Sequence, residues 1–337
     1  MARALMVADD CEPELDHLEI DDFGDDLLRG VNISVADNRM IRRRAALVFQ
    51  RRMAASGLAH LKADEVKRLS VMKSGAILTP PGNEAWADEL AATLHAEMPW
   101  MAPATETAWH ALRRSAQRGD PGLRLPPMLL NGPAGIGKSV WARKLAELCC
   151  VPDCVVEVGS GSAGFRISGL ERGWSSAAPG RPLETILQTG IANPIMIVDE
   201  ICKMQAQTSE KGQNFGMANT MLALLEPATN TAWECPFYRV KFDMSHISWV
   251  MTANDVEKVP MPLLNRCTVV DLPPIGFHDL CGFARADTAR RGLSEDSAEA
   301  IVLALAHPIA RSKYISLRGV IRMIEKAEVM EGRPWLH

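Results

Sequence analysis

Through the middle of the chain, short continuous apolar runs alternate with stretches whose apolar residues recur every three or four positions. Runs at 127–131, 154–158, 194–198, 247–254 and 267–272 have strand length. Helical spacing follows at 140–149, 182–191 and 217–225. Strands alternating with helices predict an α/β fold with a doubly wound parallel sheet. Residues 159–180, rich in glycine and serine, read as a long loop, and 237–245 alternate like one arm of a hairpin. Past Pro273-Pro274 the pattern turns wholly helical, at 277–291, 294–307 and 316–330, with Ser294 ahead of Glu295 and Asp296 as a helix start. The expected division is an α/β domain at 101–273 followed by a small all-helical domain at 274–337.

Residues 1–100 read as an acidic tail and a mostly helical extension. Asp and Glu crowd 9–26, where large apolar residues are few, which predicts a solvated tail. The sign then reverses: Arg39, Arg42, Arg43, Arg44, Arg51 and Arg52 lie on a predicted helix with Ile41, Leu47, Val48 and Met53 among them. That helix is open to two readings, a nucleic-acid or partner surface and a solvated face paired with the acidic tail. The breaker Thr79-Pro80-Pro81-Gly82-Asn83 precedes an amphipathic stretch at 84–98, and a further helix at 105–118 ends at Gly119-Asp120-Pro121-Gly122. Trp86 and Trp100 read as packing residues.

A net charge of −4 supplies no global attraction to nucleic acid or to an anionic membrane. No apolar run approaches the roughly 18 residues of a membrane span. The acidic N-terminus lacks the basic start of a secretory signal, so a cytoplasmic location is expected. Cys149, Cys150 and Cys154 have no second ligand pair at zinc spacing and read as buried reduced thiols.

The chemistry is announced by Gly132-Pro133-Ala134-Gly135-Ile136-Gly137-Lys138-Ser139, which satisfies every fixed position of G-x-x-x-x-G-K-[ST] between a predicted strand and a predicted helix. Glycines at 132, 135 and 137 let backbone N–H groups turn inward around an anion, and the following helix, opening near Val140, adds its positive end. Lys138 is expected to reach the β and γ phosphates of ATP, and Ser139 to offer its hydroxyl to Mg²⁺. Asp199-Glu200 closes the apolar run at 194–198, so a buried parallel strand delivers both acids to the sheet's carboxyl edge. There Asp199 can support Mg²⁺ and Glu200 can polarise the attacking water.

Taken in order, these motifs resemble the ATPase portion of Lon proteases, within the AAA+ ATPases, over roughly 126–327. Residues 172–181 are similar to the Lon loop that projects an aromatic ring into the pore. Residues 197–204 resemble its Walker B block, 222–227 the following helix and 237–245 the hairpin ahead of sensor 1. Met251-Thr252-Ala253-Asn254 resembles sensor 1, 262–266 the arginine-finger segment and 317–322 sensor 2. The resemblance implies that Asn254 orients the hydrolytic water with Glu200 and that Arg318 contacts nucleotide from the helical domain. It also implies that Arg266 reaches the γ-phosphate held by a neighbouring copy, in a ring that is usually a hexamer. Trp174 would grip an extended polypeptide client, with Phe165 on the same loop as a second aromatic. Lys211 and Phe215 lie where a second pore loop is expected.

Cys202 and Asn265 depart from the acids usual at those positions in Lon, without removing a group assigned to hydrolysis. The chain ends at His337, short of the length that a Ser-Lys proteolytic domain needs, so no peptide-bond cleavage is expected. The leading expectation is an ATP-hydrolysing, ring-forming protein remodeller or unfoldase that serves a separate protease or adaptor. Two rivals stand beside it: a nucleic-acid-handling ATPase that uses the arginine-rich helix, and a nucleotide-gated assembly scaffold.

Overall fold

In the computed structural model, residues 34–55, 57–159, 163–173, 177–204, 217–307 and 315–332 are described. The acidic segment at 9–26 lies outside them, as do Trp174, Lys211, Phe215 and the side chains of Arg52 and Met53.

Five parallel strands form the central sheet: β1 (Met128–Asn131), β2 (Asp153–Glu157), β3 (Ile195–Asp199), β6 (Ser248–Ala253) and β7 (Thr268–Asp271). Their order across the sheet is β2-β3-β6-β1-β7. The central strands are buried on both faces, so alternate residues enter two separate cores. Leu129, Met196, Val198 and Met251 pack with Leu183 and Ile186 of α7 (Arg181–Thr189) and Met221 and Leu224 of α8 (Met217–Leu225). Met128, Leu130, Ile197 and Val250 pack on the other face with Leu112 of α4 (Ala102–Arg118) and with Trp141 and Leu145 of α5 (Lys138–Leu148). Helices thus cover both faces, as the alternating pattern predicts.

The chain ahead of the sheet is part of the same packing. Leu58, Leu69, Met72, Ala76 and Leu78, in and around α2 (Ala63–Ser70), enter the first core. Ile77 is stitched to the segment after α7: its N–H donates to Gly190 O at 2.8 Å, and Ala192 N–H donates to Ile77 O at 2.7 Å. Asn83 caps α3 (Glu84–Glu97) by accepting from Trp86 N–H at 2.8 Å. The helix predicted at 105–118 starts earlier, at Ala102, because the 3₁₀ turn Pro99–Met101 leads directly into it and Pro103 suits a first helical turn.

By contrast, α1 (Val35–Ala55) carries Arg39, Arg42, Arg43, Arg44 and Arg51 in the open: every described side chain on it except Asn38 is exposed, including Met40, Ile41, Leu47 and Val48. Among the described residues no helix is long and apolar enough to cross a membrane.

Three local expectations change. The loop predicted at 159–180 contains a short helix, α6 (Ala163–Ser168), anchored by buried Ile167. The strand predicted over 237–245 shrinks to β5 (Lys241–Phe242), paired antiparallel with β4 (Trp233–Glu234) after the short α9 (Pro227–Asn230). Residues 235–240 become the turn because Tyr238 is drawn into the core and Arg239 takes a left-handed φ of 52°. Cys150, expected to be buried, is exposed with a left-handed φ of 53° just past the end of α5, while Cys149 and Cys154 are buried.

After α10 (Met261–Leu264) and β7, three helices close the described chain: α11 (Phe277–Arg290), α12 (Glu295–Ala306) and α13 (Leu317–Glu331). Leu280, Ala284, Ile301, Leu305, Val320 and Ile324 join them to one another and to the second core. Ser294 caps α12 as its sequence predicts, accepting from Ser297 N–H at 3.3 Å.

Candidate nucleotide site

The sheet reverses direction of winding around β1, and the loop after β1 opens at the carboxyl edge beside the ends of β3 and β6. A crevice at that place in an open α/β sheet is where ligands bind. Residues 132–139 form the loop, with left-handed glycines at 135 (φ 78°) and 137 (φ 92°). A Cβ on Gly135 would lie 2.8 Å from Ser316 Cβ, and one on Gly137 2.8 Å from Met98 Cε, so the turn accepts no side chain at either place. Leu317 N–H donates to Gly135 O at 3.0 Å, which ties the start of α13 to the loop. From the other side, the buried indole of Trp100 donates Nε1–H to Ile136 O at 2.9 Å.

Lys138 is only 6% exposed. Its ammonium donates to Gly132 O at 2.6 Å, Pro133 O at 2.9 Å and Asn254 Oδ1 at 2.8 Å, which uses all three of its hydrogens. Burial pushes its pKa below the usual lysine value, and the Asp199 carboxylate acts against that shift. Ser139 Oγ donates to Asp199 Oδ1 at 2.8 Å. Thr252 Oγ1 donates to the same carboxylate oxygen and accepts from Glu200 N–H at 2.9 Å.

Glu200 stands at the end of β3 with a left-handed φ of 57°, a conformation that costs a residue with a Cβ about 1–2 kcal/mol. The hydrogen bond from its N–H to Thr252 Oγ1 holds it there. Its carboxylate pairs with Lys203 Nζ at 2.5 Å and accepts a long contact from Asn254 Nδ2 at 3.5 Å. Cys202 Sγ accepts from Asn254 N–H at 3.4 Å. Asn254 therefore bridges Lys138 and Glu200.

Of the residues singled out by sequence, Gly132, Pro133, Ala134, Gly135, Ile136, Gly137, Lys138, Ser139, Asp199, Glu200 and Asn254 come together here. Val140 is exposed on the first turn of α5. Arg318 is exposed on α13, with its Cγ 4.0 Å from the place a Gly135 Cβ would occupy. Arg266 does not join this group; it pairs with Glu226 instead, Nε at 2.7 Å and Nη2 at 2.6 Å from Oε2. Phe165 projects from α6, 41% exposed, and Trp174 lies outside the described residues.

Sequence reasoning missed Thr252, Lys203 and the loop-facing bond of Trp100. Thr252 had a signal, a hydroxyl near the carboxyl end of a largely apolar buried run. Lys203 had only its i+3 spacing from Glu200, and Trp100 had none.

The residues fit a polyphosphate: a buried ammonium and a hydroxyl–carboxylate pair converge beside a loop with glycines at positive φ. Among the described residues no group of three or more His, Cys, Asp or Glu is placed to hold a metal ion alone. A divalent ion here would lean on Ser139, Asp199 and the phosphates themselves, as Mg²⁺ does.

Residues 128–273 match the ATPase family associated with various cellular activities (AAA). The chain is 30% identical over 145 residues to a Lon protease of Clostridium beijerinckii, covering 43% of this chain and 18% of that protein. It is 31% identical over 153 residues to the peroxisomal Lon protease homolog 2 of Spinacia oleracea, covering 45% and 17%. Against a Lon protease of Treponema pallidum it is 28% identical over 212 residues, covering 59% and 23%. The chain thus spans about a fifth of the length of these relatives. With the phosphate loop, the acids at the end of β3 and the amide at the end of β6 in place, residues 128–273 are similar to the AAA ATPase family and to part of these Lon proteases.

Proposed function

We propose that the chain hydrolyses ATP in a ring of like subunits and spends the turnover on remodelling polypeptides. In this reading Lys138 and the loop amides hold the phosphates. Ser139 and Asp199 would hold Mg²⁺, which would shield phosphate charge. Glu200 takes the proton of the attacking water while Asn254 orients it, and Arg318 senses the nucleotide from α13. Arg266 completes the site of the adjacent copy, and Trp174, with Phe165 nearby, grips the client.

The observation that carries the reading is Asn254, hydrogen-bonded to Lys138 at 2.8 Å and facing Glu200 at 3.5 Å, beside the Ser139–Asp199 pair. Steady-state ATPase of wild type and Glu200→Gln tests the first half. Turnover should fall at least a hundredfold while nucleotide binding persists, and equal rates would reject the assignment. Unfolding of a tagged substrate by Trp174→Ala tests the second half. Loss of unfolding with ATPase retained is expected, and unimpaired unfolding removes Trp174 from the grip.

A second reading, nucleic-acid handling, draws on the exposed Arg39, Arg42, Arg43, Arg44 and Arg51 of α1. It requires DNA or RNA to bind with an affinity that drops steeply as salt rises. No binding at low salt would eliminate it.

A further inference from the structure

Arg266 and Glu226 occupy two short elements that face each other, and both backbones are pinned. Glu226 N–H donates to Leu222 O at 3.0 Å, and Glu226 O accepts from the N–H groups of Thr229 and Asn230 at 3.0 Å each. Pro227 follows and opens α9. Arg266 N–H donates to Leu263 O at 3.0 Å at the end of α10, and fully buried Leu263 seats that turn in the first core beside Leu224 and Leu225. Neither end of the side-chain pair is free to drift.

A guanidinium has five N–H groups. Here Nε–H donates to Glu226 Oε2 at 2.7 Å, Nη2 stands 2.6 Å from the same oxygen as an ion pair, and one Nη1–H goes to Pro262 O at 2.9 Å. Three remain, one on Nη1 and two on Nη2. One from each terminal nitrogen can make the end-on fork that matches two oxygens of a phosphate. The side chains are 35% and 37% exposed, so this fork belongs to a pair at the protein surface, open to a second molecule.

We propose that Glu226 is the positioning residue for Arg266: it holds the guanidinium side-on, so that its end-on edge reaches a nucleotide phosphate bound by a neighbouring copy. This rests on the reading of Arg266 as a group acting across a subunit seam. A long arginine side chain must otherwise be ordered each time the seam closes, and a carboxylate that has already ordered it removes that cost. Glu226 touches neither substrate nor water; it acts through Arg266.

The test uses the full chain and steady-state ATPase. Arg266→Ala should lower kcat about a thousandfold, the scale of a missing arginine finger. Glu226→Ala should lower kcat about tenfold, leaving the KM for ATP and the affinity for a fluorescent ADP within about twofold. Glu226→Gln keeps a carbonyl acceptor and should recover part of the loss. As a second measurement, Lys138→Ala subunits, unable to bind nucleotide, are doped into wild-type rings with and without Glu226→Ala. Only those retaining Glu226 should sustain turnover in their neighbours.

The outcomes separate the two claims. If Arg266→Ala keeps its rate, the seam reading fails. If Arg266→Ala collapses and Glu226→Ala does not, the seam stands and the role of Glu226 is overturned. A rise in kcat for Glu226→Ala would also overturn it, by showing that the carboxylate competes with phosphate. So would a loss that appears in KM and melting temperature alone.

Discussion

Arg172 and Glu65 lie 107 residues apart in the chain and 2.6 Å apart in space, Nη2 to Oε2. The same guanidinium donates Nη1–H to His60 O at 2.8 Å and lies over the Phe237 ring at 5.5 Å. His60 Nε2 in turn stands 2.6 Å from Tyr238 O. The base of the loop that carries Trp174, the turn between β4 and β5, and the segment leading into α2 are thus fastened at one point.

Glu65→Ala removes the partner of a mostly buried cation and is expected to destabilise the fold by about 1–3 kcal/mol, on the scale of a hydrogen bond to a charged group. Arg172→Lys should not rescue stability, because one ammonium cannot reproduce contacts to Glu65, His60 and the Phe237 face together. Thermal melts of both variants, with and without nucleotide, measure this; an unchanged melt for Glu65→Ala would dismiss the fastening.

Thr252 joins Asp199 to the backbone of Glu200, so Thr252→Val of nearly equal shape loses both bonds at once. The freed Glu200 amide relaxes the left-handed turn that aims its carboxylate. We expect kcat to drop about tenfold or more, with a smaller change in nucleotide affinity and recovery in Thr252→Ser. Identical kcat for valine and wild type would mean the hydroxyl serves packing alone.

Trp100→Phe keeps the buried ring but deletes the hydrogen bond to Ile136 O. The loop loses about 1 kcal/mol of support, so the Kd for ATP is expected to rise about fivefold by calorimetry. A matching rise in Trp86→Phe, which makes no such bond to the loop, would argue for a general packing effect.

Burial pushes the Cys149 and Cys267 thiols up to about 12, from an ordinary value of 9.0. Their folded forms bind protons that the unfolded chain releases above pH 9. This share of stability is therefore complete below pH 9 and lost as pH rises from 9 towards 12. Urea midpoints should fall across that window, less steeply in Cys149→Ala. Exposed Cys150 should react with a thiol reagent at pH 8 in the folded protein, and Cys149 only after unfolding.

The nucleotide cradle was legible in the sequence because its determinants are local. A glycine spacing that permits positive φ, a lysine and a serine at the first helical turn, and two acids at the end of an apolar run each work within a few residues of backbone. Their spacing alone set the chemistry of Lys138, Ser139, Asp199 and Glu200. Periodicity likewise set the strands and helices, since burial on one face or both leaves a repeat of two or 3.6 in the chain.

Only the tertiary structure decided which of these pieces touch. Pattern says that a strand is buried but not which strand lies beside it, so the insertion of β6 between β1 and β3 was invisible. With it went the meeting of Thr252 with Asp199 and of Asn254 with Lys138. Trp100 under the phosphate loop, Leu58 to Leu78 in the sheet's core, Glu65 on Arg172 and Glu226 on Arg266 are contacts between distant segments. Hydrophobic burial brings such segments together without direction, and specific hydrogen bonds then select the arrangement, so no short window of sequence contains the choice.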